Sequence, residues 1–171
     1  MSITTENLLN TTGIRIKKGA CVVIVKTEWN ENIINALLDG CIEILEAHKI
    51  KYKVYTVPGA VELTHAIASY AHAHNSGKEK ADAFISLGTV IRGDTPHFDY
   101  VCQSITQGIT TLNVTLDAPV IFGVLTVNNE AQAWERLGGT HGHKGREAAV
   151  AAVKMIALKQ SIISSKNTSK K

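Results

Sequence analysis

Four short apolar runs, each followed by an amphipathic stretch, constrain this chain more than any other feature. "ACVVIVK" (20–26) is continuously apolar, as a strand buried on both faces must be. In "NENIINALLDGCIEILEAH" (30–48), Ile33, Ile34, Leu37, Leu38, Cys41, Ile42 and Leu45 recur at helical spacing and form one apolar stripe, with Asn30 as candidate N-cap. "KYKVYTV" (51–57) alternates and is rich in β-branched and aromatic residues, which predicts a second strand. Leu63, Ile67 and Tyr70 mark a helix running to about His74, and "NSGKEKAD" (75–82) is a polar connection to a third strand, "AFISLG" (83–88). Phe98, Val101, Cys102, Ile105, Ile109 and Leu112 fall at three- and four-residue steps, with Pro96 suited to the first turn of that helix. "PVIFGVLTV" (119–127) is the fourth strand. Helical material follows over 129–136 and 145–159, separated by the Gly-rich joint "LGGTHGHKG".

Strands alternating with amphipathic helices imply βαβ units, a parallel sheet and right-handed crossovers. The expected fold is α/β: a three-layer sandwich with a four-stranded parallel sheet in flavodoxin-like order 2-1-3-4, flanked by helices. A single domain is expected over 1–159, with 1–18 as an N-terminal arm and 160–171, basic and Ser-rich, as a disordered tail.

Composition narrows the function classes. Net charge is +3, with Lys and Arg scattered, so the concentrated basic patch of a nucleic-acid binder is missing. No apolar stretch approaches the ~20 residues of a membrane span, and no basic segment followed by an apolar run opens the sequence, so neither a membrane association nor a secretory signal is expected. Cys21, Cys41 and Cys102 are odd in number and embedded in apolar pattern, which reads as free thiols in a reducing cytoplasm. There is no C-x-x-C, no Walker-type loop and no G-x-G-x-x-G. His141 and His143 in "THGHKG" lack a third ligand, so the segment reads as a flexible polar loop rather than a zinc site.

In a doubly wound sheet, ligands bind beyond the carboxyl ends of the strands. The loops expected there are "TEWN" (27–30), "PGAVE" (58–62), "RGDTPH" (92–97) and "VNNE" (127–130). In "RGDTPH", Gly93 permits a tight turn and close approach of a ligand, and the amides of Asp94 and Thr95 lie just before a helix start that attracts anions such as phosphate. An ordinary cap, with Asp94 or Thr95 accepting helix amides, fits the same residues. His97 reads either as a proton carrier facing the crevice or as a surface histidine. Trp29 reads as an aromatic that stacks on a flat heterocycle or as a core residue folded back over the sheet. Glu62 suits a helix start whatever the function. Arg136 and Lys144 add positive charge beside an anion site or sit at solvated helix ends. His65, His72 and His74 read as solvated.

Taken in order, "VPGAVEL", "LGTVIRGDTPHFDYV", "PVIFGVLT" with "NNEAQAWER", and "HKG" with its Ala-rich helix resemble the 6,7-dimethyl-8-ribityllumazine synthase family, from about Cys21 to Lys159. The resemblance implies the penultimate step of riboflavin synthesis. In that step 5-amino-6-(D-ribitylamino)uracil condenses with 3,4-dihydroxy-2-butanone 4-phosphate to give the lumazine, phosphate and water, without metal or organic cofactor. By position it implies that His97 shuttles protons and that Arg136, with the amides of Asp94 and Thr95, holds the substrate phosphate beside Lys144. Trp29 then stacks on the pyrimidine. Asn30, Ala60, Val61 and Glu62 touch the ribityl chain, Val61 standing where relatives often have an aromatic. Thr89, Val90 and Ile91 face the pyrimidine, and Phe122 enters the site from a neighbouring subunit. The implied partners are these small molecules and further copies of the chain. The family forms pentamers with active sites between subunits, and some members assemble twelve pentamers into a hollow shell; the short joint near 137–144 points toward the shell. Archaeal-type riboflavin synthases share the fold but dismutate two lumazines and bind no phosphate. A non-enzymatic flavin-binding shell protein is a third reading, in which Trp29 still stacks.

Overall fold

The computed structural model describes residues 9–168. Its elements run β1 (Cys21–Thr27), α1 (Glu31–Ala47), β2 (Lys51–Val57), α2 (Glu62–Ala73), β3 (Ala83–Ile91), α3 (His97–Thr115), β4 (Val120–Val127), α4 (Glu130–Trp134), β5 (Leu137–Gly139), β6 (Gly142–His143) and α5 (Lys144–Thr168). Strands β1 to β4 form one parallel sheet in the order β2-β1-β3-β4, as the alternation predicts.

Period-two alternation divides the core between the two faces. Val22 and Ile24 of β1 and Ala83, Ile85 and Leu87 of β3 pack with α1 and α5. Val23, Val25 and Phe84 pack on the opposite face with Leu63, Ile67 and Tyr70 of α2 and Ile105 and Ile109 of α3. The stripe expected on α1 is the buried one: Ile33, Ile34, Leu37, Cys41 and Leu45 are closed to solvent. Burial pushes the Cys41 thiol up to about 12, and its Sγ lies 3.0 Å from the Gly145 carbonyl oxygen. Cys21 is buried as expected, but Cys102 is only half-buried.

Helices α1 and α5 approach closely because glycines line their contact. A Cβ placed on Gly145 would lie 2.1 Å from the Leu37 carbonyl oxygen, and one on Gly40 would collide with the His143 ring.

Four boundaries depart from the sequence expectation. β3 continues through Ile91, so Thr89, Val90 and Ile91 belong to the strand rather than to the loop after it. These residues pair with Leu125, Thr126 and Val127, and the Arg92 amide adds a further bond to the Val127 carbonyl, 2.9 Å. The polar loop expected over 137–144 contains a small antiparallel hairpin, β5–β6. Helix α5 runs to Thr168, so 160–168 is helical rather than a disordered tail; 169–171 and 1–8 of the arm lie outside the described residues. Finally, an 18-residue window within Lys144–Ser165 has a mean hydropathy of 1.3, long and apolar enough to cross a bilayer, contrary to the expectation of no such stretch. Ala149, Ala152, Val153 and Ile156 pack in the core against α1 and the sheet, while Met155, Leu158, Ile162 and Ile163 of the same helix are exposed.

Candidate functional site

The carboxyl ends of the strands are tied to one another before any ligand is considered. The Glu28 amide donates to the Val57 carbonyl, 2.9 Å, joining the end of β1 to that of β2. Asn30 Nδ2 donates to the Thr89 carbonyl, 3.2 Å, joining the same loop to β3. Asn30 stands at the N-cap position of α1, but at φ 59 and ψ 46 and with no capping bond from its side chain. Asparagine tolerates this left-handed conformation better than most residues, because its short polar side chain bonds locally.

Trp29 is 73% exposed, which rules out the folded-back core role. The Thr27 hydroxyl, itself buried, donates to the Trp29 carbonyl at 3.4 Å, so the indole stands on a held backbone. At the end of β2, Ala60 is half-buried and Val61 is exposed. Glu62 opens α2, and its carboxylate turns back over the Pro58–Gly59 segment, with Oε2 3.0 Å from where a Gly59 Cβ would sit. Thr89 is buried at the end of β3 and its Oγ1 has no hydrogen-bond partner. A buried hydroxyl without a partner is costly, so it is a group waiting for a donor or acceptor.

The β3–α3 loop decides between the two readings of "RGDTPH". Gly93, Asp94, Thr95, Pro96 and His97 are all exposed. Pro96 occupies the N-cap position of α3 and supplies no side-chain bond, and the described hydrogen bonds give neither Asp94 nor Thr95 a helix amide. The ordinary-cap reading therefore does not hold, and the free amides of this 19-residue helix face outward with the positive end of its dipole. Gly93 needs neither a positive φ nor extra room, since a Cβ there would meet nothing within 4 Å. The tight-turn role expected of it is therefore not required by the backbone. Arg92 closes the rim: its guanidinium pairs with Asp99 at 2.9 and 3.4 Å, donates to Asn128 Oδ1 at 3.3 Å, and stacks 4.1 Å over the Phe98 ring. Neither Arg92 nor Asn128 was a sequence candidate, because only tertiary placement brings them together.

The other candidates lie elsewhere. Arg136 is half-buried after α4 and donates from Nη1 to the Gln132 carbonyl, 3.0 Å. Its own carbonyl accepts the Lys144 amide at 2.9 Å. Lys144 Nζ pairs with Glu147 Oε2 at 2.7 Å, and Glu147 Oε1 is buried without a partner. Phe122 pairs in register with Ser86, five residues before the end of β4, and is 42% exposed. At about 3.3 Å per residue this sets it ~16 Å back from the carboxyl edge. Phe122, Lys144 and Glu147 line one cavity of about 190 Å³ along the outer edge of β4 and the start of α5. Glu147 is a residue that sequence reasoning missed; its three-residue spacing from Lys144 was the available signal. One chain thus brings together Trp29, Asn30, Ala60, Val61, Glu62, Thr89, Val90, Ile91, Asp94, Thr95 and His97, and gathers Phe122 with Lys144 on a separate edge.

Of the remaining histidines, His65 and His72 are exposed, as expected, and so is His141, while His143 and His74 are packed. Nδ1 of His143 accepts the Arg146 amide, 3.4 Å, and burial, then the Arg146 charge, holds its pKa below the usual histidine value. His74 is not solvated as expected but half-buried, its ring stacked 4.3 Å from that of Tyr70. Among the described residues no group of three His, Cys, Asp or Glu side chains is placed to hold a metal.

The profile of 6,7-dimethyl-8-ribityllumazine synthase matches residues 19–160. The chain belongs to the lumazine synthase family. Among its relatives, the lumazine synthase of Porphyromonas gingivalis is 51% identical over 140 residues, covering 80% of this chain and 84% of the relative. That of Phocaeicola vulgatus is 49% identical over 142 residues, 81% and 82% of the two chains. That of Bacteroides fragilis is 50% identical over 136 residues, 78% and 92%. The lumazine synthase match begins at the residue before Ala20, spans every strand and helix of the described core and ends within α5.

Proposed function

We propose that the protein is a lumazine synthase, a transferase of riboflavin biosynthesis. It condenses 5-amino-6-(D-ribitylamino)uracil with 3,4-dihydroxy-2-butanone 4-phosphate to 6,7-dimethyl-8-ribityllumazine, phosphate and water. The observation that carries this reading is the family match over residues 19–160 together with an uncapped α3 start that holds His97 among exposed amides.

The chemistry follows from the residues on that edge. The exposed indole of Trp29 stacks on the pyrimidine, and Glu62, Asn30, Ala60 and Val61 meet the ribityl chain. Thr89, with its unpartnered hydroxyl, and Val90 and Ile91 border the heterocycle. The phosphate sits on the amides of Asp94 and Thr95 at the positive end of α3, with the Asp94 carboxylate turned outward to solvent. Holding both substrates together removes much of the entropic barrier, since oriented reactions reach effective molarities of order 10⁵ M or more. The pyrimidine amine attacks the butanone carbonyl and water leaves as the imine forms. Phosphate then departs with its charge held by cations and amides, and the ribitylamino nitrogen closes the ring on the remaining carbonyl with loss of a second water to complete the lumazine. His97, exposed at the first residue of α3, carries protons between these steps.

The site is completed by a second copy of the chain. Phe122, near the start of β4, and Lys144, at the first residue of α5, face the heterocycle and phosphate of a neighbour, together with Arg136. Support comes from the separate placing of the two groups in one chain and from the exposure of Trp29, Val61 and Phe122. Pentamers with a site at each interface, and a closed shell of pentamers, are the assemblies that fit.

The test is direct. Purified protein given both substrates should form lumazine and release phosphate, and given lumazine alone should form no riboflavin; the reverse result would overturn the reading. Analytical ultracentrifugation should find pentamers or larger, and a monomer with full activity would refute the shared site.

A further inference from the structure

Arg92 joins three elements on the carboxyl edge. Its backbone is the last rung of the β3–β4 ladder, through the bond from its amide to the Val127 carbonyl. Its side chain then crosses the loop. Nη1 and Nη2 take the two carboxylate oxygens of Asp99 at 3.4 and 2.9 Å, the guanidinium lies flat 4.1 Å over the Phe98 ring, and Nε donates to Asn128 Oδ1. Phe98 and Asp99 are the second and third residues of α3, directly after His97. The four loop residues Gly93–Pro96 are exposed and bracketed by this one side chain: strand at one end, first helical turn at the other.

We propose that Arg92 is a positioning residue for His97: by clamping Phe98 and Asp99 to the ends of β3 and β4, it fixes where the first turn of α3 presents the imidazole. The inference rests on the lumazine synthase reading of the site. The geometry requires arginine. A planar fork that meets both oxygens of a carboxylate while stacking on an aromatic has no equivalent in lysine, whose ammonium is a point charge on a flexible stem. Both Arg92 and Asp99 are substantially exposed, at 43% and 60% of their side chains, so the pair adds little to global stability. Its effect is on placement. A proton carrier off its line by an ångström loses up to roughly 10²-fold in rate. Direct contact with the substrate phosphate is the other use open to Arg92, since Nη1 and Nη2 each give one N–H to Asp99 and keep a second; the two uses differ in whether kcat or KM responds.

The test uses the full chain with Arg92→Lys, Asp99→Asn and the double variant, measured with both substrates and by thermal melting. Each single variant should lower kcat by about tenfold, with KM for both substrates and the melting temperature essentially unchanged. The double variant should be no worse than the poorer single one, since both break the same clamp. Full kcat in Asp99→Asn overturns the proposal. So does a raised KM for butanone phosphate at unchanged kcat in Arg92→Lys, which would make Arg92 a phosphate ligand. Wild-type protein without turnover removes the functional reading and this role with it, whereas an active wild type with undiminished variants removes this role alone.

Discussion

Helices α1, α2 and α3 begin at the carboxyl edge of the sheet with no side chain on their free amides, at Asn30, Val61 and Pro96. Helices α4 and α5 begin differently. Asn129 accepts the Gln132 amide at 3.0 Å, and His143 accepts the Arg146 amide at 3.4 Å. A missing cap costs a helix ~1 kcal/mol. The chain accepts that cost at the three starts beside Trp29, Glu62 and His97, whereas α4, which follows β4 at the same edge, and α5 carry side-chain caps. The difference teaches where donors are being kept for something other than the protein itself.

The largest expected effect lies at the α3 start. His97→Ala should lower kcat by roughly 10²–10⁴-fold while leaving a folded protein and a residual rate from proximity alone. A variant within a few-fold of wild type would break the comparison by making this edge ordinary surface. Next is Arg136→Ala. Removing a charged hydrogen bond to phosphate costs ~1.5–3 kcal/mol, so KM for butanone phosphate should rise about 10- to 100-fold while KM for the pyrimidine holds. Equal changes in both constants would remove the phosphate role.

Supplying the missing cap sharpens the contrast further. Pro96→Asp gives α3 a side-chain acceptor and a negative charge at its positive end. Relative to Pro96→Ala it should be more stable by ~1 kcal/mol and bind butanone phosphate more weakly. Asn129→Ala is the mirror experiment: it should lower stability by ~1 kcal/mol, about 2–4 °C in melting temperature, with KM and kcat unchanged. The smallest effect concerns pH. The folded protein holds His143 below its unfolded value of 6.5, so the unfolded chain takes up more protons and stability falls as pH drops below 6.5. In His143→Asn that slope should flatten, as read by melting at pH 7.5 and in steps below 6.5.

Much of this was legible in the sequence, for identifiable reasons. Burial writes itself as periodicity: the runs at Cys21 and Ala83 and the stripe from Ile33 to Leu45 gave strands, helix and sheet order because a core leaves few alternatives. The candidate residues at the carboxyl edge followed from strand order and from family resemblance. What escaped is what depends on one element touching another. Thr89–Ile91 extend β3 because three β-branched residues find partners in Leu125, Thr126 and Val127 of β4, a pairing that no local pattern beside the Gly-containing turn reveals. The β5–β6 hairpin is too short and too glycine-rich to show alternation. The tail's Ser and Lys residues masked a helix already nucleated by the buried turns before it. The left-handed Asn30 and the Arg92 clamp depend on partners 59 and 36 residues away, and no local pattern records them.

The glycine contact between α1 and α5 has a mechanical meaning. With the Gly145 α-carbon seated against the Leu37 carbonyl, α1 and the start of α5 cannot slide past one another without opening the tightest seam in the molecule. Trp29 and Asn30 lie just before α1, while Arg136 precedes the β5–β6 hairpin and Lys144 opens α5. A side chain at position 145 would therefore push the start of α5, and Lys144 with it, away from α1.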